Sequence, residues 1–276
     1  MKTAGLDMES LKEFMTLLAR KSAEYILPFF GNPDLPIEIK EDLTPVTAAD
    51  RGAEKILRQW IEQHFPDHGI LGEEYGSIRP DADYVWTLDP IDGTKSFVAG
   101  TPQFGTLICL SFHGDPILGA IHNPVTGQLL IGDGKITTQN GIRIHVRRTT
   151  RLEDAVVLTT DLATPAVHQS AEGWSRLLQT ARKVYTWGDC HGYQLVASGG
   201  ADAMCDPVMK PWDMMALIPV IRGAGGIITD WQGNDPVSGH SCIASATPEL
   251  HSRILAALHP GDAGKELKTQ DSGRRV

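Results

Sequence analysis

Positive charge is in short supply in this chain. Its 25 Lys and Arg are outnumbered by 34 Asp and Glu, for a formal net charge of −9. A nucleic-acid partner, which calls for a basic face, is therefore not expected. An anionic small substrate is awkward too, unless metal cations stand between it and the acids. Long apolar runs are missing: no window of about 18 apolar residues is present to span a membrane. The first residues carry Asp7, Glu9 and Glu13, where a signal peptide needs a basic start and an apolar core. Cysteine is sparse, and Cys109, Cys190, Cys205 and Cys242 stand singly with no paired zinc spacing. Each reads as a small buried hydrophobe in a reducing compartment. These absences predict a cytoplasmic protein with no membrane partner. Repeats and low-complexity tracts are absent as well, and with 41% hydrophobic and 21% charged residues disorder is not the default reading.

What is present is enough chain, at 276 residues, for one large domain or two modest ones. Leu11, Phe14, Leu18 and Tyr25 recur at helical spacing over residues 8–30, and Pro28, Gly31 and Pro33 end the stripe. A second helix is expected from Thr47, where Thr47 to Asp50 resembles a capping box. Tyr84 to Leu88 is a bulky apolar run that fits a buried strand ending at Asp89. Phe104 to Phe112 and Ile117 to His122 read as strands, and Asn140-Gly141 is a tight-hairpin signal. Past Arg151 strands and helices alternate. Strands are expected at Val156–Thr160, Val184–Trp187, Ala203–Asp206, Ile227–Asp230 and Ser241–Ala246, with helices near 171–182, 190–198, 212–224 and 249–258. An α+β half over 1–150 and a smaller α/β half over 151–260 follow, with 261–276 a flexible polar tail.

The most informative stretch is Asp89-Pro90-Ile91-Asp92-Gly93-Thr94. Two carboxylates three apart on a turn can enter one pocket, Gly93 permits close backbone approach, and a short helix starting at Thr94 would aim amides at an anion. The spacing excludes the Asp-x-Asp nucleophile of haloacid-dehalogenase-like phosphatases. A P-loop is excluded too, since Gly132-Asp-Gly-Lys135 runs on into Ile136. Glu73 after Gly72, Asp213 after Pro211-Trp212 and Asp50 at a helix start occupy similar element ends. Each also has a purely structural explanation: Asp50 as a capping acid, Asp213 as a helix-dipole partner, Glu73 as a solvated turn residue, and the hexapeptide's aspartates as caps of their own turn.

Taken in order, Thr47-Ala-Ala-Asp50, Gly72-Glu-Glu74, Trp86-Thr-Leu-Asp-Pro-Ile-Asp-Gly-Thr-Lys-Ser-Phe97 and Pro211-Trp-Asp213 with Gly225-Gly226 resemble the signatures of the inositol monophosphatase family, from about residue 10 to 258. Lys95-Ser-Phe97 and Trp187-Gly-Asp-Cys-His-Gly-Tyr193 look most like its histidinol-phosphate phosphatase branch, with His191 where that branch often has Tyr. The resemblance implies an αβαβα layered sandwich, a homodimer, and two to three Mg²⁺ per active site. By the same resemblance Glu73, Asp89, the Ile91 carbonyl, Asp92 and Asp213 are the metal ligands. Glu73, Thr94 and Asp50 match catalytic positions, the last two orienting a water and accepting its proton. Gly93, Thr94, Asp189 and Asp206 match substrate-binding positions. The expected reaction is hydrolysis of a small phosphate monoester without a covalent phosphoenzyme. Histidinol phosphate is the favoured ester, because its amine and imidazole would suit Asp189 and Asp206. An inositol, sugar or nucleotide phosphate is the rival substrate. A non-catalytic metal-binding protein is the rival class, against which the complete acid set and Thr94 speak. For Asp189 and Asp206 the structural explanation is a strand-end aspartate bonding backbone.

Overall fold

A computed structural model describes residues 7–39 and 45–259, so the tail expected at 261–276 lies outside the described residues. The chain opens with α1 (Met8–Ile26), whose cap Asp7 accepts from Ser10 N at 3.1 Å. A small hairpin of β1 (Ile37–Ile39) and β2 (Pro45–Thr47) leads into α2 (Ala48–His64). The expected capping box is there: Thr47 Oγ1 accepts from Ala49 N at 3.1 Å, and Thr47 N donates to Asp50 Oδ2 at 2.8 Å.

An eight-stranded sheet follows. Its strands are β3 (Gly69–Gly72), β4 (Gly76–Ile78), β5 (Tyr84–Asp92), β6 (Gly105–Phe112), β7 (Asp115–Asn123), β8 (Gln128–Gly132), β9 (Thr137–Gln139) and β10 (Ile142–Arg143), in the order β10-β9-β8-β7-β6-β5-β3-β4. In this sheet, among the described residues, β3 and β5 alone pair in parallel. Asn140 and Gly141 both have positive φ in the β9–β10 turn, as a two-residue hairpin demands. The helix α3 (Thr94–Val98) interrupts the sheet between β5 and β6.

A five-stranded sheet comes next, ordered β12-β11-β13-β15-β14. Its strands are β11 (Val156–Leu158), β12 (Lys183–Tyr185), β13 (Ala203–Asp206), β14 (Ile227–Thr229) and β15 (Cys242–Ser245). The helices are α4 (Thr164–His168), α5 (Ala171–Thr180), α6 (Asp189–Ala197), α7 (Pro211–Met214), α8 (Leu217–Gly223) and α9 (Pro248–Leu258). The single helix expected over 212–224 is thus two. Pro219 has no amide to give the Met215 carbonyl, and its ring crowds that carbonyl, so the chain breaks between α7 and α8.

Side-chain alternation builds the layers. On β6, Ile108 and Leu110 face α1 and α2 through Leu11, Leu18, Leu57 and Ile61. Leu107 and Cys109 face the other way, onto α6 and α8 through Val196, Val220 and Ile221. The second sheet meets the same middle layer with Leu158, Met204 and Ala244. It turns Val157, Ala203, Cys205 and Ile243 toward α5 and α9. The result is the expected αβαβα stack. All four cysteines are free and buried. Among the described residues no helix is long and apolar enough to cross a membrane.

Candidate active site

Asp89 and Asp92 are three apart on β5, and in a regular strand such residues face opposite sides. β5 is not regular. Asp89 pairs with Leu107 and Asp92 with Gly105, so Pro90 and Ile91 stand together opposite Thr106 alone. This bulge accommodates the amide Pro90 lacks, and Thr106 Oγ1 donates to the Pro90 carbonyl at 2.8 Å. The strand expected to end at Asp89 therefore runs on to Asp92, and its extra residue turns Asp92 back to the side of Asp89.

Asp213 comes from the other half of the chain, on the single turn of α7, where Lys210 N donates to its Oδ2 at 2.8 Å. One carboxylate oxygen from each of Asp89, Asp92 and Asp213 lies within 4.8 Å of the others. Glu73 stands one residue past β3, its amide donating to the Leu88 carbonyl at 3.2 Å. Burial first, and then the charges of Glu73, Asp92 and Asp213, hold the Asp89 carboxyl well above its ordinary pKa. Burial and then Asp189 and Asp213 raise Asp92 in the same way. Burial lifts Asp213 to about 7; the Lys210 amide opposes this and Glu73 adds to it.

An all-oxygen, crowded and partly buried donor set of this kind fits a hard divalent cation. Cys190 lies next to it, its amide donating to Asp92 Oδ2. Burial and the nearby Asp92 charge push the Cys190 thiol well up.

Asp50 serves as a cap and faces the site as well. Its Oδ2 is taken by Thr47 N at 2.8 Å and Thr47 Oγ1 at 2.7 Å, while Oδ1 faces Thr94 Oγ1 at 3.4 Å. The Thr94 hydroxyl also reaches the Ile91 carbonyl at 3.0 Å. Gly93, at φ +87°, makes the turn, and α3 starts at Thr94 as expected.

The remaining sequence-picked acids line a pocket of ≈ 290 Å³ that also takes in Asp92, Asp213, Lys95, Thr160 and Asp161. Asp189 opens α6 at φ +51°, a left-handed conformation rare for a residue with a side chain. Its amide donates to Thr160 Oγ1 at 2.9 Å. Asp206 closes β13 and is only 4% exposed; Thr160 N donates to its Oδ1 at 3.1 Å and Tyr193 OH to its Oδ2 at 3.0 Å. Burial and then Asp206 raise Asp189 to about 7, against the pull of Lys95. Burial lowers the pKa of His191, so its imidazole stays neutral near neutral pH and supplies no charge to Asp189.

Sequence reasoning passed over Thr160, Lys95 and Tyr193. Lys95 lies inside the Asp92-Gly-Thr-Lys95 run, and Thr160 ends an expected strand. The parallel pairing of β11 with β13, which sets Thr160 beside Asp206, has no local signal. A larger cavity, ≈ 640 Å³ between α1 and the strands β7 to β9, shares none of the clustered acids.

The sequence profile of the inositol monophosphatase family matches residues 7–262. The chain is 39% identical over 255 residues to the chloroplastic bifunctional phosphatase IMPL2 of Arabidopsis thaliana, covering 87% of this chain and 72% of that protein. It is 36% identical over 246 residues to the histidinol-phosphatase of Chlorobaculum parvum, covering 89% and 95%. A solved inositol monophosphatase from Zymomonas mobilis superposes with a TM-score of 0.81 at 37% identity, covering 92% of this chain and 99% of that one.

Proposed function

The chain belongs to the inositol monophosphatase family, and on that footing we propose that it hydrolyses L-histidinol phosphate to L-histidinol and phosphate, with Mg²⁺ as cofactor. Family membership makes it a phosphoric monoester hydrolase of small esters; the alcohol, the metal and the residue roles are the proposal. The observation that carries it is the place of Asp189. This carboxylate shares a pocket with Asp92 and Asp213 but stands outside the cluster that those two form with Asp89. An acid there suits a substrate with phosphate at one end and ammonium at the other. The histidinol-phosphatase relative supports the same alcohol.

In this reading Glu73, Asp89, Asp92, Asp213 and the Ile91 carbonyl hold the metal. Bound Mg²⁺ supplies the positive charge that admits an anionic ester to an acidic pocket and makes a water more acidic. The protein's own groups do the positioning. Thr94 Oγ1, held between the Ile91 carbonyl and Asp50, orients the attacking water and passes its proton toward Asp50 Oδ1. Asp50 is suited to accept that proton, since burial raises its carboxyl pKa. Gly93 and Thr94 receive the phosphate at the start of α3, while Asp189, backed by Asp206, takes the amine. In this proposal the working form is a homodimer, as the family resemblance implies, and cytoplasmic, as the composition suggests.

A neutral polyol phosphate is the second reading, favoured by the Zymomonas mobilis likeness. Phosphate release from histidinol phosphate, inositol 1-phosphate and glycerol phosphate decides between them. Histidinol phosphate should lead by at least an order of magnitude in kcat/KM, and chelation should abolish turnover until Mg²⁺ is restored. Preference for inositol phosphate would overturn the substrate, and turnover without divalent ions would overturn the metal.

A further inference from the structure

The helix that presents Asp50 carries a second buried acid, Glu54, that is not one of the clustered carboxylates. Asp50, Glu54 and Arg58 recur every four residues along α2 and so share one face; they are 2%, 0% and 9% exposed. A carboxylate this dry needs its lone pairs filled. Glu54 fills them with the turn that follows β3. Its Oε2 accepts from Glu74 N at 2.7 Å, and its Oε1 accepts from Tyr75 N at 3.2 Å and from Arg58 Nε at 2.7 Å. Arg58 continues the brace, donating to the Gly76 carbonyl and lying over the Tyr75 ring at 5.9 Å. The fit is close: a Cβ on Gly72 would stand 2.0 Å from Glu54 Oε1.

The turn so held is the one that carries Glu73. Its amide is tied on one side to the carbonyl of Leu88, the residue before Asp89 in β5. The next two amides are tied on the other side to Glu54. Glu73 is thereby clamped between the strand that bears Asp89 and the helix that bears Asp50. We propose that Glu54, braced by Arg58, is a positioning residue for the metal site, holding Glu73 at a set distance from Asp89 and Asp50. The inference rests on the reading of Glu73 as a metal ligand and adds a support behind it. Groups that orient a ligand from behind are worth about tenfold to a hundredfold in metal affinity.

The test is calorimetric Mn²⁺ binding to the metal-free full chain, without substrate, for the parent and for Glu54→Gln. Gln keeps the size and one acceptor but sets an amide NH₂ against the backbone donors. The expected result is Mn²⁺ affinity weakened about tenfold to a hundredfold. The Mg²⁺ needed for half-maximal turnover should rise by the same factor, with kcat recovered at saturating Mg²⁺. A variant that melts lower yet binds Mn²⁺ like the parent makes Glu54 a folding residue and overturns the proposal. A parent that binds no Mn²⁺ overturns the metal reading itself, and this proposal with it. Should Glu54→Gln not fold, Glu54→Gln/Arg58→Gln removes the guanidinium left without its counter-ion and is read by the same outcomes. Hydrogen exchange on the metal-free parent needs no variant. The Glu74 and Tyr75 amides should be protected before any metal is added, and fast exchange there overturns the proposal.

Discussion

At the scale of single residues, Asp189 combines an unusual backbone, a raised pKa and a place in the pocket. Its left-handed φ is held by the bond from its own amide to Thr160 Oγ1, and strain of this kind persists only where the surroundings over-determine it. Asp206 has both oxygens engaged within the protein, which suits it to backing Asp189 more than to reaching the substrate. A charge-assisted hydrogen bond from a substrate ammonium to Asp189 is worth about 1.5–3 kcal/mol, or about tenfold to a hundredfold in rate. Asp189→Asn should therefore cut kcat/KM for histidinol phosphate by about that factor and barely change it for glycerol phosphate. Equal losses on both esters, in parallel phosphate-release assays, would reduce Asp189 to general support of the site.

At the scale of elements, α8 lies close on the large sheet. A Cβ on Gly132 would stand 2.5 Å from Val220 Cα and 2.6 Å from the Pro219 carbonyl oxygen, so β8 admits the helix only because no side chain intervenes. Gly132→Ala should lower stability by about 1–3 kcal/mol, the usual cost of overpacking, seen as a lower urea midpoint. Because α7 carries Asp213 immediately ahead of α8, the same change should raise the Mg²⁺ requirement. A full urea effect with no change in Mg²⁺ requirement would show that α7 is positioned independently of α8. The bulge in β5 belongs to this scale as well: one extra residue decides that Asp89 and Asp92 share a side.

At the scale of the whole molecule, the raised acids set the pH response of the metal-free protein. Asp89, Asp92, Asp189 and Asp213 titrate above their unfolded values, the last two at about 7. The folded state then binds more protons than the unfolded one, and the stability these groups contribute is lost as pH rises through about 7. His122 and His251 act in the opposite sense. Burial drops both to about 4, so they cost stability as pH falls below about 6.5, the ordinary imidazole value. Between pH 6.5 and 8 the raised acids outweigh the lowered histidines, whose unfolded-state titration is ending while the carboxyls at about 7 are still losing protons. The metal-free protein should melt at a lower temperature at pH 8 than at pH 6.5, and saturating Mg²⁺ should flatten that difference. A metal-free melting temperature that rises over this interval would contradict the burial of these carboxylates.

Much of this was legible along the chain, because local chemistry decides local structure. Thr47 and Asp50 announce a capped helix, Asn140-Gly141 a hairpin, and apolar alternation the strands that build the two sheets. The acids Asp50, Glu73, Asp92 and Asp213 could be picked out because each stands at or beside the end of an element, and Asp89 because Pro90 follows it. Sequence could not show that the strand continues past Pro90, since a bulge depends on the partner strand and on Thr106 being there to bond the Pro90 carbonyl. Nor could it show that Asp213 meets Asp89 from more than a hundred residues away, that Thr160 ties Asp189 to Asp206, or that Glu54 turns inward to hold the Glu73 turn. Those contacts are made by groups far apart in the chain, and their free energy exists only once the sheets and the helices between them have closed around one core.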